Sequence, residues 1–484
     1  MTYSKAVEAL LKKLKIQPGD RIRYSGTKGT YDGILLPKPE TSGSDDVLLL
    51  KLDNGYNIGL QSEGAQLEKL PGPAAALGNV GAVWTPSVLA GVPKISLVAT
   101  GGTISTKVDY QTGGVYMLSE PAEILAKVPE LADIANIHRI QSPFRKASED
   151  MDHKDWQQLA KSVVDELNSE SQGVIVTHGT DILAYSAAAL SFMIQDQNKP
   201  VAVTGAQRSP DRGSADGPLN LIWSSQYAAS DCAETAVVMH GSSSDDFGLA
   251  HVGTKVRKMH TSRRDAFQTI NARPWAKISG NKASQNGHQN HGTKNTNQNQ
   301  HANVHHATGK DPGAVEFLRS DYRRRDNDKK AVADVAFEPK VAHIKPWPGA
   351  DGRMIDYLVE QKFKGIVIEA WALGHVPATS KFSWVPNIQA AIDAGVTVCI
   401  ASQSLYGKVH PSVYANLRKV SATGALYLQD MLPETAWVKL AWTLGHEKKP
   451  DKIKERMLQN VAHEFNERHQ QDDFPGFENK DEAH

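Results

Sequence analysis

Cysteine is nearly absent from this chain of 484 residues. The two that occur, Cys232 and Cys399, lie far apart in sequence and supply neither a disulfide framework nor a four-ligand zinc site. Buried thiols in a reducing cytosol are the simpler reading. Long apolar runs are missing too: no stretch approaches the ~20 residues that span a bilayer, and the N-terminal MTYSKAVEALLKKLK lacks the unbroken apolar core of a signal peptide. A soluble, cytoplasmic chain without membrane contact is expected. Net charge is absent as well, with 54 Lys and Arg against 54 Asp and Glu. This removes the electrostatic case for general nucleic-acid binding and limits any RNA contact to a local patch or a partner. No GxxxxGK[ST] sequence occurs, which argues against ATP binding through a P-loop.

What is present divides the chain. Residues 1–72 open with Val7, Leu10, Leu11 and Leu14 at helical spacing, a lead helix that Pro18-Gly19 ends. Short β segments follow at 21–24, 31–36, 47–52 and 56–60, with Asp53-Asn54-Gly55 as a hairpin signal; together they predict a small N-terminal β-barrel domain. Residues 73–93, rich in Pro, Gly and Ala, read as a linker. Over 94–278 the pattern becomes buried strand, glycine loop, helix, the grammar of a parallel α/β sheet covered on both faces. A shorter α/β series at 339–448 predicts a second, smaller domain, and 449–484 a helical and polar tail that is frayed or a docking strip beyond Asn466. Between the two α/β series, 279–338 holds a low-complexity insertion and the interdomain connection. Its 279–312 portion is mostly Asn, Gln, His, Gly, Ser, Thr and Lys, a composition that buries too little surface to offset its ordering entropy. Its histidines, His288, His291, His301, His305 and His306, offer a metal-binding alternative to simple disorder.

The chemistry lies in two loops. Thr100-Gly101-Gly102-Thr103 follows the apolar run 95–99, and Thr177-His178-Gly179-Thr180-Asp181 follows 173–176. In an open parallel sheet, ligands bind beyond the strand C-termini, which places both loops on one cleft. The glycines permit close backbone approach, and loop amides can stabilise an oxyanion. A threonine hydroxyl is a weak nucleophile and needs a base or proton relay. Asp181 is one candidate, with helix capping as its ordinary alternative. Lys258 is another, although a lysine in the run 255–262 is commonly a surface residue.

Three separated stretches, Ala99-Thr100-Gly101-Gly102-Thr103-Ile104, His178-Gly179-Thr180-Asp181 and Ser214-Ala215-Asp216-Gly217-Pro218-Leu219-Asn220-Leu221, resemble in order the motifs of bacterial-type L-asparaginases. The resemblance covers about 94–445 and implies an L-asparaginase-like two-domain α/β fold with parallel sheets. It implies that Thr103 attacks the side-chain amide and that Thr180, Asp181 and Lys258 form a proton relay. Tyr110 matches a lid tyrosine, and Ser148 and Glu149, within Ser148-Glu149-Asp150-Met151, match the loop that binds the substrate's carboxylate and ammonium.

The stretches Gly19-Asp20-Arg21-Ile22, Tyr31-Asp32-Gly33-Ile34-Leu35, 51–59, 320–326 and Asp430-Met431-Leu432-Pro433-Glu434-Thr435 resemble the family of the archaeal-type glutamyl-tRNA(Gln) amidotransferase D-subunit. That resemblance spans nearly the whole chain and departs at 279–312. It implies a glutaminase that releases ammonia for a partner, the E-subunit, where ATP and magnesium act on Glu-tRNA(Gln). It also implies a homodimer within a heterotetramer, tRNA contact mainly through the partner, and no cofactor or metal in this chain. Arg323-Arg324-Arg325 reads as an RNA or partner contact or as a solvated interdomain face. A stand-alone cytosolic L-asparaginase and a non-catalytic amino-acid-binding scaffold are the alternatives.

Overall fold

A computed structural model describes residues 3–26, 29–36, 46–52, 57–71, 91–102, 106–108, 115–117, 128–208, 215–279 and 315–470. The expected linker lies almost wholly outside these residues, as does the low-complexity insertion with its histidines apart from Ser279.

The lead helix α1 spans Lys5–Lys13, and Ser4 caps it by accepting from the Val7 amide at 3.3 Å. Val7 and Leu11 pack on Ile22, Leu35, Leu48 and Leu50 from the sheet that follows. Its strands are β1 (Arg21–Gly26), β2 (Gly29–Leu35), β3 (Val47–Leu52), β4 (Asn57–Gln61) and β5 (Gln66–Lys69). They run antiparallel in the order β4-β3-β2-β1-β5. The described ladders make one five-stranded antiparallel sheet with α1 packed on its apolar face. The fifth strand escapes sequence reading because Gln66-Leu67-Glu68-Lys69 contains one apolar residue.

The large domain is built on β6 (Lys94–Ala99), β7 (Asn136–Gln141), β8 (Gly173–Thr177), β9 (Val201–Thr204) and β10 (Thr235–His240). These are parallel in the order β7-β6-β8-β9-β10. Alternate residues enter two cores. Val98, Val174, Val176 and Val203 meet helices α2 (His153–Leu167) and α3 (Leu183–Met193), while Ile95, Leu97, Ile175 and Ala202 meet α4 (Gly217–Ala228). A strand buried on both faces has no polar side, which is why these runs show no alternation.

The sheet is not wholly parallel. Beyond β10, the strand β11 (Phe247–Val252) returns antiparallel, because the connection from His240 is too short for a crossover helix. A two-stranded ribbon follows, β12 (Val256–Lys258) with β13 (Phe267–Thr269). The sheet then continues antiparallel through β14 (Ala276–Ser279) and β15 (Val315–Phe317).

The smaller domain is a parallel sheet of β16 (Val341–Ile344), β17 (Gly365–Ala370), β18 (Thr397–Ser402) and β19 (Leu426–Tyr427), in chain order. Helices α5 (Arg353–Glu360), α6 (Val385–Asp393) and α7 (Ala415–Ser421) cover one face. Helix α8 (Pro433–His446) covers the other through Ala436, Leu440 and Leu444. Its Val438 and Trp442 enter the large domain's core, so this one helix belongs to both lobes. Helix α9 (Pro450–Leu458) follows, and the chain then packs back: Lys439 and Glu464 form a fully buried ion pair, and the Asn466 amide donates to Asp430 at 3.0 Å. No helix of the described residues is long and apolar enough to cross a membrane.

The Arg323-Arg324-Arg325 run is engaged within the fold. Arg323 forks onto the buried carboxylate of Glu234, and Arg324 pairs with Asp231 while lying over the Tyr322 ring. Arg325 donates to the carbonyls of Ala229 and Ser230 just beyond α4. The arginines therefore fasten the returning chain to the sheet edge.

Candidate active site

Strands β6 and β8 are neighbours, so their C-terminal loops emerge side by side. The Thr100 amide donates to the Thr177 carbonyl at 3.1 Å, and its hydroxyl donates to the same oxygen at 3.0 Å. Gly101 and Gly102 take φ of 116° and 87°, which disfavours any side chain. A Cβ on Gly102 would stand 2.4 Å from the Gly179 nitrogen. The two loops thus meet backbone to backbone. Thr103 and the lid position Tyr110 lie outside the described residues, yet Gly102 shows that the first threonine loop abuts the second.

Thr180 is buried at the end of β8. Lys258 closes β12, and its ammonium donates to Thr180 Oγ1 at 2.9 Å and to Asp181 Oδ1 at 3.0 Å. Residues 78 positions apart in sequence are thereby joined in one hydrogen-bonded group. Lys258 is 16 % exposed and Asp181 63 % exposed, so this hydrogen-bonded group runs from a buried hydroxyl outward to a solvated carboxylate.

Ser148 and Glu149 lie in a single 3-10 turn ahead of α2. Ser148 is buried against the second loop: a Cβ on Gly179 would meet its Oγ at 2.7 Å. Its hydroxyl lies 3.5 Å from Glu149 Oε2, and Glu149 is exposed. The Lys146 amide donates to the Thr100 carbonyl at 3.0 Å, so this turn is tied to both threonine loops.

The third motif serves as a support. Ser214 lies outside the described residues, but Asp216 is fully buried and accepts from the Gln207 and Arg208 amides, in the turn after β9, at 2.8–3.0 Å. Asn220 donates to the Gly205 carbonyl and to Asp216, and its Oδ1 accepts from His240 Nδ1 at 2.6 Å.

His178 is fully buried, and its Nδ1 donates to the Gly179 carbonyl at 2.6 Å. Burial lowers its pKa to about 4, with that hydrogen bond opposing; burial alone lowers His251 to about 3. Both imidazoles are neutral in the fold, whereas unfolded histidine protonates near 6.5. Their stabilising contribution is therefore fully present above pH 6.5 and is lost as pH falls toward the folded values. At pH 5 the expected loss is about 2 kcal/mol per histidine. Urea unfolding of His251→Asn should show a smaller drop in stability between pH 7.5 and pH 5 than the parent chain shows.

Beside Lys258 opens a cleft of about 430 Å³ lined by Asp181, Tyr185, Arg257, Lys258, His260 and Glu434, among others. Tyr185, on α3, has its phenol pushed up to about 12, mainly by burial and then by the Glu434 charge. Arg257 pairs with Glu434 of α8 at 3.0 Å. Sequence reasoning did not place these three residues at the site; the only signal was that Glu434 falls within the distinctive stretch 430–435.

Comparison with known proteins agrees with this division. Family models match for the asparaginase N-terminal domain over residues 94–291, the glutaminase/asparaginase C-terminal domain over 340–457 and the GatD N-terminal domain over 16–70. The chain is 43% identical over 463 residues to the glutamyl-tRNA(Gln) amidotransferase D-subunit of Pyrococcus furiosus, covering 95% of this chain and 97% of the relative. It is 38% identical over 472 residues to the protein of that name from Methanobrevibacter smithii, covering 97% and 98%. Among solved structures, the thermostable L-asparaginase from Thermococcus kodakarensis superposes with a TM-score of 0.62 at 24% identity, covering 77% of this chain and 99% of that one. L-asparaginase I from Vibrio cholerae gives 0.61 at 23% identity, covering 78% and 99%. These two show the shared fold.

Proposed function

Because the chain belongs to the family of the glutamyl-tRNA(Gln) amidotransferase D-subunit, we propose that it is the glutamine-hydrolysing half of an enzyme of two subunits converting Glu-tRNA(Gln) to Gln-tRNA(Gln). The observation that carries the chemistry is the Lys258 ammonium held between Thr180 Oγ1 and Asp181 Oδ1 at the mouth of the β6 and β8 loops. A threonine oxygen, Thr103 in this reading, attacks the carboxamide carbon of glutamine. The C–N bond breaks, nitrogen leaves as ammonia with the proton taken from the hydroxyl, and a glutamyl ester remains. Water then adds to the ester carbon, the C–O bond breaks, and glutamate departs as the threonine recovers its proton. Thr180, Lys258 and Asp181 carry these protons between buried and solvated positions. Ser148 donates to the substrate's carboxylate, Glu149 and Asp181 accept from its ammonium, and Tyr110 closes over it.

In the same reading, the E-subunit holds Glu-tRNA(Gln), uses ATP and magnesium to activate the glutamyl group, and accepts the ammonia, within a cytoplasmic heterotetramer. Homodimerisation of this chain forms part of that assembly. The GatD-type segment at 16–70 favours this over a stand-alone asparaginase. The test is ammonia release from glutamine and from asparagine, by the chain alone and then with the E-subunit, ATP and Glu-tRNA(Gln). Glutamine hydrolysis stimulated by the partner and charged tRNA is expected. Efficient asparagine hydrolysis by the lone chain, indifferent to them, would count against it.

A further inference from the structure

Residues 254–258 run between the two lobes, and their side chains alternate. Val256 is buried in the large domain's core, and Lys258 reaches Thr180. Lys255 and Arg257 instead reach the smaller lobe: Lys255 Nζ meets Asp430 Oδ2 at 2.8 Å, and Arg257 meets Glu434 Oε1 at 3.0 Å. Within β12 the two-residue period sets Arg257 opposite Val256 and Lys258, and Lys255 lies in the turn just ahead of the strand. Thr435 adds a third tie by donating to the Thr254 carbonyl at 2.7 Å. All three partners lie within 430–435, where α8 begins, a stretch that the hydrolytic reading leaves without a task.

Glu434 is the unusual member. Its Oε2 is buried with no hydrogen-bond partner among the described residues, and its side chain lines the cleft beside Lys258. An unsatisfied buried acceptor costs about 1–3 kcal/mol, so this carboxylate is a poor choice for packing alone.

We propose that Glu434 and Arg257 form a positioning pair for Lys258, through which the smaller lobe sets the place of its ammonium against Thr180. The proposal deepens the glutaminase reading and rests on it. The Lys258 ammonium itself touches Thr180 and Asp181, and Arg257, His260, Tyr185 from α3 and Glu434 from α8 line the cleft beside it. Burial keeps the Tyr185 phenol neutral at working pH. Removing either charge releases the tie between α8 and the residue next to Lys258 in β12.

The experiment measures kcat and KM for glutamine hydrolysis in the complex with the E-subunit, together with Tm, for full-length Glu434→Gln, Arg257→Gln and the double variant. Each single change should lower kcat roughly tenfold with KM little altered, and the double should be no worse than the poorer single. Losses of activity that merely follow Tm would overturn the pair, as would losses that multiply in the double variant. A parent chain that hydrolyses neither amide even with the E-subunit, ATP and Glu-tRNA(Gln) overturns the underlying reading; an active parent with an unchanged kcat in Glu434→Gln overturns only the pair.

Discussion

Lys258→Met is expected to lower glutamine hydrolysis by about 10²–10⁴-fold, while amidation driven by added ammonia in the complex with the E-subunit stays near the parent rate. The side chains are of similar length, so the substitution keeps the stem and removes the group that donates to Thr180 and Asp181. Thr180→Val, which deletes the hydroxyl at nearly constant volume, should give the same separation of activities. Thr103→Ala should as well, if the β6 loop supplies the attacking oxygen. The measurement is steady-state ammonia release beside Gln-tRNA formation with glutamine or ammonium chloride as nitrogen donor. A folded Lys258→Met chain that hydrolyses glutamine normally across pH would remove the lysine from the mechanism. Loss of both activities would contradict the division of labour between the two subunits.

Asp430→Asn should destabilise the protein by about 3–5 kcal/mol, the usual cost of stranding one member of a buried ion pair. Lys255 and Asp430 lie 2.8 Å apart with side chains 1 % and 0 % exposed, at the seam between the lobes. Burial lowers the Lys255 pKa, and Asp430 opposes that effect, so removing the carboxylate leaves an ammonium that burial already disfavours. Asp430 also accepts from the Asn466 amide and lies 3.1 Å from His469, so the returning C-terminal chain loosens with it. A shift of this size corresponds to a Tm lower by about 10 °C in a domain of comparable size. Differential scanning calorimetry on Asp430→Asn and on the double change Lys255→Met with Asp430→Leu checks the cause. Replacing both charges should recover much of the loss, because no buried charge is then left unpaired. An Asp430→Asn chain as stable as the parent would mean that the seam is held by its apolar contacts alone.

Some of this architecture was legible in the residues and some was not. The runs at 95–99, 173–176, 201–204 and 235–239 announced a buried sheet because burial on both faces demands apolar residues at every position. The antiparallel extension from Phe247 onward was hidden, since nothing local marks which neighbour a returning strand will choose. The N-terminal helix was legible through Val7 and Leu11, whereas Gln66–Lys69 pairs as a strand by position rather than by composition. The three arginines at 323–325 read as a solvated interdomain face or as an RNA or partner contact. Only the fold reveals Glu234, Asp231 and two carbonyls beyond α4 as their partners.

The loop chemistry is local: glycines where φ is positive or loops touch, and a threonine followed by an acid just past the end of a buried strand. These are local demands of backbone sterics and hydroxyl reactivity, and they are written in consecutive residues. Tertiary structure decided which lysine of the run 255–258 reaches Thr180 and which reaches Asp430. Lys258 ends β12 and faces Thr180, whereas Lys255 sits in the turn ahead of the strand and faces the smaller lobe, so the choice depends on where each lobe packs. It also decided that Glu434 and Tyr185, distant in the chain, share a cleft with Asp181, because helix α8 packs into both cores.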